Sequence, residues 1–106
     1  MKKLKIFIYL DDLRELNDTV VPSGAVVVIC RTYESATRAI KQFYSPIDTE
    51  IICDLDHDLG QEKTGYDFCK FLLEEDITGK FHIHSMNPVG VANMRQLLSH
   101  YGWKEF

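Results

Sequence analysis

Positive charge is scarce in this chain: 12 Lys and Arg stand against 16 Asp and Glu, a formal net charge of −4 with a pI of about 5.5. Such a balance offers no extended basic surface to grip a nucleic-acid backbone, so any phosphate ligand has to be held locally. Long apolar runs are missing too. The longest, around Ile6–Leu10 and Ala25–Cys30, fall far short of the ~20 residues a membrane-crossing helix needs. Met1-Lys2-Lys3 leads into a short strand and not into a signal peptide. Cysteine is limited to Cys30, Cys53 and Cys69, odd in number, without CxxC spacing and set in apolar segments. They read as reduced core thiols of a cytoplasmic protein, with no catalytic role. Repeats, low-complexity tracts and linkers are absent. The 106 residues, 45% hydrophobic and 26% charged, therefore read as one domain, 1–106, with a modest core.

What the chain does carry is the stretch Asp54-Leu55-Asp56-His57-Asp58-Leu59-Gly60, placed directly after the apolar run Ile51-Ile52-Cys53. Three carboxylates at alternate positions on a strand's end share a face and repel one another. The fold must supply a compensating cation or proton there.

Lys5–Leu10 is a nearly continuous apolar run, expected of a strand buried on both faces, and it stops at Asp11-Asp12. Residues 13–24, with Asn17-Asp18 and Pro22-Ser23-Gly24, show no sustained helical period and read as an irregular crossover with at most one helical turn. Ala25–Cys30 is the second strand. Thr32 caps a helix in which Tyr33, Ala36, Ile40 and Phe43 recur at helical spacing, ended by Ser45-Pro46. Glu50–Leu55 forms the third strand. Thr64 and Asp67 resemble a capping box for a helix that buries Phe68, Phe71 and Leu72 and stops at Gly79. Phe81–His84 is the fourth strand. Asn87 as N-cap and Pro88 at the first helical position start a last helix that turns Val91, Met94, Leu97, Leu98 and Tyr101 inward and ends at Gly102. His82 reads as structural and His100 as a surface residue.

Strands alternating with helices predict an α/β fold: a small, open, doubly wound parallel sheet of about four strands in the order 2-1-3-4, with a short fifth edge after Trp103. Right-handed crossovers and helices on both faces follow. Ligands of such sheets sit beyond the carboxyl ends of the strands, where strand order reverses. Asp11-Asp12, Asp56-His57-Asp58 and His84-Ser85-Asn87 follow three different strands and are expected to converge at that edge.

These residues resemble the receiver domain of two-component signalling, with Asp11-Asp12 as the acidic pair, Asp56 in the phosphoacceptor place and Ser85 after the fourth strand. His57 replaces an apolar residue of that pattern, Asp58 adds a carboxylate, and Lys104 is the candidate for the receiver lysine. The sequence is more similar to a modified receiver family, the cyclic-phosphate-processing receiver domain. The matching segments are Leu10-Asp11-Asp12-Leu13-Arg14, Leu55-Asp56-His57-Asp58-Leu59-Gly60, Thr64-Gly65-Tyr66-Asp67 and His84-Ser85-Met86-Asn87-Pro88-Val89-Gly90. The resemblance implies a flavodoxin-like receiver fold and processing of cyclic phosphates, such as the 2′,3′-cyclic ends left by RNA cleavage.

A hard divalent cation, Mg²⁺ or Mn²⁺, takes oxygen ligands, which Asp11, Asp12, Asp56 and Asp58 would supply. His57, Asp58 and His84 widen the choice to Fe²⁺ or Zn²⁺. The competing reading of Asp11, Asp12 and Asp58 is a solvated strand-end loop that caps the following turns. Asp56, His57, His84 and Ser85 are the catalytic candidates, His84 as general acid or metal ligand. Asn87, Val89 and Gly90 open a helix whose free N–H groups would cradle phosphate, although Asn-Pro is equally a good cap. Arg14 either pairs with phosphate or buttresses Asp12. Three functions are compatible with this set. The first is a metal-dependent phosphoesterase, a hydrolase acting on a cyclic nucleotide or an RNA end. The others are a non-catalytic phosphate or cyclic-nucleotide binder, and a signalling receiver phosphorylated on Asp56. The expected partner is a phosphate-bearing nucleotide or RNA end, not a membrane.

Overall fold

The computed structural model describes residues 2–17 and 21–106. Five strands, β1 (Leu4–Leu10), β2 (Val26–Cys30), β3 (Thr49–Leu55), β4 (Gly79–Ile83) and β5 (Lys104–Glu105), form one parallel sheet in the order β2-β1-β3-β4-β5. The expected order thus holds, with the short fifth edge added. Three helices, α1 (Tyr33–Phe43), α2 (Gly65–Glu74) and α3 (Pro88–His100), fill the connections after β2, β3 and β4. None is long and apolar enough to cross a membrane.

Helices on both faces were expected; among the described residues all three pack on one. Ile6, Ile8 and Leu10 of β1, Ile51, Cys53 and Leu55 of β3, and Phe81 and Ile83 of β4 join Ile40 of α1, Phe68 and Leu72 of α2 and Met94 and Leu98 of α3 in a single core. Right-handed crossovers explain this. The steps β2→β3, β3→β4 and β4→β5 all advance in the same direction across the sheet and so place their helices on the same side. Only β1→β2 runs the other way, and its described residues, 13–17 and 21–24, contain no helix; residues 18–20 lie outside the described set. The second face is covered by Leu16, Val21 and Ala25 of that connection, packed on Phe7, Tyr9 and Ile52. Each large side chain buried in the main core contributes about 1.5–3 kcal/mol.

The helix starts are those the sequence marks. Thr32 caps α1, Thr64 and Asp67 form a reciprocal capping box on α2, and Asn87 caps α3 with Pro88 in the first turn. Helix ends depart more. α2 ends at Glu74, followed by Asp76 with φ 58°, whereas Gly79 opens β4 opposite Ile51. Tyr101 is exposed and not turned inward, because it falls on the C-cap; Phe43 is also partly exposed, and Ala39 takes the buried place beside Ile40. Cys30, Cys53 and Cys69 are free and buried. Burial pushes the Cys30 thiol up to about 11 and raises the other two as well, so none has thiolate character.

Candidate functional site

The sheet's hydrogen-bond ladder continues one residue past the strands. Asp11 N–H donates to the Cys30 carbonyl (3.1 Å), Asp56 N–H to Leu10 (2.9 Å) and His84 N–H to Leu55 (3.0 Å). Since Leu10, Leu55 and Ile83 already sit level in the register, Asp11, Asp56 and His84 emerge side by side. This is the point where strand order reverses, between β1 and β3.

Asp11 is 1% exposed. Its Oδ1 accepts the N–H groups of Leu13 and Arg14, both at 2.8 Å, and its Oδ2 lies 2.8 Å from His84 Nε2 and 3.9 Å from Arg14 Nε. Burial alone would raise its pKa, but the two backbone donors and His84 outweigh burial and hold it below the usual carboxylate value. The other ring nitrogen of His84, Nδ1, lies 2.6 Å from Asp54 Oδ1, and the ring stacks on Tyr9 with centroids 5.0 Å apart. Burial disfavours the imidazolium, yet Asp54 and Asp11 together raise its pKa. The raised pKa makes His84 the group on which a proton offsets part of the repulsion expected among the carboxylates.

Asp56 is buried and accepts the His57 N–H on Oδ1 at 2.8 Å. One ligand atom each from Asp11, Asp56 and His84 lies within 4.8 Å of the others. An adjoining cavity of about 300 Å³ is walled by Asp11, Asp12, Asp56, Asp58, Arg14 and Ser85. A cavity of similar volume beside α3, with Tyr66 and His100 in its wall, has no carboxylate there.

The remaining expected residues divide differently. Asp12 is half-buried in the same cavity wall. Asp58 is exposed and pairs with His57 Nδ1 at 2.9 Å; chiefly this contact lowers its pKa. The His57 ring lies against Gly90, where an added Cβ would stand 2.4 Å from its Cγ. Gly90 therefore admits the imidazole, and its N–H is taken by Asn87 Oδ1 at 2.9 Å. Val89 is exposed, and Ser85 Oγ accepts the Asn87 N–H at 3.1 Å. Arg14 buttresses Asp11, not Asp12, and donates to the His84 carbonyl at 2.7 Å. Lys104 lies in β5 opposite Lys80, which pairs with Ile52, four residues down β3 from Asp56; it does not occupy a receiver lysine's place beside the acidic cluster. His82 is half-buried against Phe106, and His100 is exposed.

Sequence reasoning counted Asp54 in the acidic cluster but gave it no role at the site, and it did not single out Tyr9 or Arg31. Arg31 donates to the carbonyls of Asp11 (3.1 Å) and Arg14 (2.6 Å), tying the loop after β1 in place. The signal for Asp54 was its place, an acid one alternation before Asp56 directly after the apolar run Ile51-Ile52-Cys53.

With this geometry in view, the sequence match over residues 6–100 to the family described as the cyclic-phosphate processing receiver domain is decisive. The chain belongs to that family. No curated protein matches this receiver domain. A solved structure titled as a yeast Spc42 trimeric coiled coil, amino acids 181–211, fused to another structure is similar to it with a TM-score of 0.65 and 21% identity, over 99% of this chain and 70% of that one. At that identity the similarity speaks for the fold alone.

Proposed function

We propose that this receiver domain is a metal-dependent phosphoesterase that opens a cyclic phosphodiester, on a 2′,3′-cyclic RNA end or a cyclic nucleotide. The observation that carries the reading is the convergence of Asp11, Asp56 and His84 from three strands, with one ligand atom each inside 4.8 Å. Two carboxylates and an imidazole suit Mn²⁺, Fe²⁺ or Zn²⁺, and the carboxylates suit Mg²⁺. The charge around the cavity supports the same reading. Asp11, Asp12, Asp56 and Asp58 face it against the single guanidinium of Arg14, so an anion enters favourably only with a cation.

The chemistry a bound cation would supply is polarisation of a phosphoryl oxygen and a lowered pKa for its water. Asp11 and Asp56 would hold it, their carboxylates fixed by the N–H groups of Leu13, Arg14 and His57. His84 would be the third ligand, through Nε2. Proton transfer to the leaving oxygen then falls to His57, oriented by its bond to the cavity-wall residue Asp58. Arg14, partly exposed, steers the phosphate.

The test is turnover of cyclic mononucleotides, cyclic-ended RNA and cyclic oligonucleotides with Mg²⁺, Mn²⁺ and Zn²⁺. Asp56→Asn should abolish turnover and its metal dependence, and His57→Ala should lower kcat on the order of 10²–10⁴-fold with little loss of binding. Tight binding without product in any combination would make the domain a sequestering module. Stable labelling of Asp56 by a small phosphodonor would make it a signalling receiver.

A further inference from the structure

We infer that Asp54 is a positioning residue: it holds His84 Nδ1 and thereby leaves Nε2 as the nitrogen presented to a cation at Asp11 and Asp56. This rests on the metal-dependent reading above. A carboxylate only 3% exposed inside a strand carries a large desolvation cost and is tolerated when paired. Its side-chain partner is His84 Nδ1, at 2.6 Å.

The two carboxylates flanking the ring are not equivalent. Asp11 keeps the N–H groups of Leu13 and Arg14 when the ring leaves it, whereas Asp54 has no such reserve among the described contacts. The Nε2–Asp11 contact is therefore the one a cation replaces, and the Nδ1–Asp54 contact is the one that stays. Tyr9, stacked on the ring with an interplanar angle of 11°, holds the imidazole plane while this happens. The arrangement is a carboxylate–histidine pair aimed at the metal position, the geometry by which an outer carboxylate sets a ligand's tautomer and basicity.

The experiment pairs Zn²⁺ titration calorimetry with a long-range ¹H–¹⁵N correlation spectrum of the Zn²⁺-loaded protein, in which the His84 signals are identified by their loss in His84→Asn. The expected wild-type pattern is a metal-bound Nε2 with the proton on Nδ1. Asp54→Asn, whose amide can pair with either tautomer, should weaken Zn²⁺ binding about 10–100-fold at unchanged thermal unfolding in the metal-free state. Wild-type binding through Nδ1, or an Asp54→Asn protein that binds as tightly, overturns the inference while leaving the metal reading in place. Absence of Zn²⁺, Mn²⁺ and Mg²⁺ binding by the wild type overturns the metal reading itself. If Asp54→Asn does not fold, the wild-type spectrum alone decides which nitrogen is bound.

Discussion

One face of the sheet is closed by three helices over Ile, Leu and Phe side chains, while the other holds Phe7, Tyr9 and Ile52 under an irregular segment and carries the Asp54–His84 pair at its upper end. Packing dominates the first face and paired charge the end of the second. The difference follows from topology: three crossovers advancing one way supply helices to one side, and the single reverse crossover supplies none among its described residues. A side chain that titrates can sit half-buried at the rim of the thinly covered face, whereas the helix-covered face would strip it of water.

The contrast can be broken most severely from the packed side. Phe68→Ala, at a fully buried ring between α2 and the sheet, should cost about 3–5 kcal/mol in urea unfolding; a loss below about 1 kcal/mol would mean that this core is not what holds the fold.

On the charged side, His84→Asn should cost about 1–3 kcal/mol near pH 6, because it leaves the buried Asp54 poorly paired. Its pH dependence sharpens the comparison. The folded-state pKa of His84 is raised, so the stabilisation from its charged form is fully present below the unfolded value of about 6.5 and is lost as pH rises through the folded value. Asp11 is lowered, and its contribution is present above its unfolded value of about 3.9 and lost as pH falls through the folded one. Between those limits both act. Unfolding free energies of wild type and His84→Asn should therefore converge toward alkaline pH; a constant gap would assign the effect to packing.

Smaller effects mark the edges of each region. Thr64→Ala removes the cap of α2 and should cost about 1 kcal/mol, read from the denaturation midpoint at constant slope. Ile29→Ala, on the exposed part of β2, should change stability by less than about 0.5 kcal/mol. A cost comparable to Phe68→Ala would show that β2 is covered in solution.

By itself the sequence determined the strand order, the helix starts at Thr32, Thr64 and Asn87, and the meeting of Asp11, Asp56 and His84 at one edge. Those are local or topological matters: caps depend on neighbours three residues apart, and parallel crossovers have one hand. The need for a compensating charge beside Asp54, Asp56 and Asp58 was likewise readable from alternation along one strand. Which group answers that need was not, because His84 lies 30 residues from Asp54 and 73 from Asp11, and only the register of β1, β3 and β4 brings the three together. Tertiary packing also gave the space at Gly90 to His57 and the pairing of Arg14 to Asp11. Contacts of that kind depend on distances between side chains on separate elements, and no spacing along the chain encodes them.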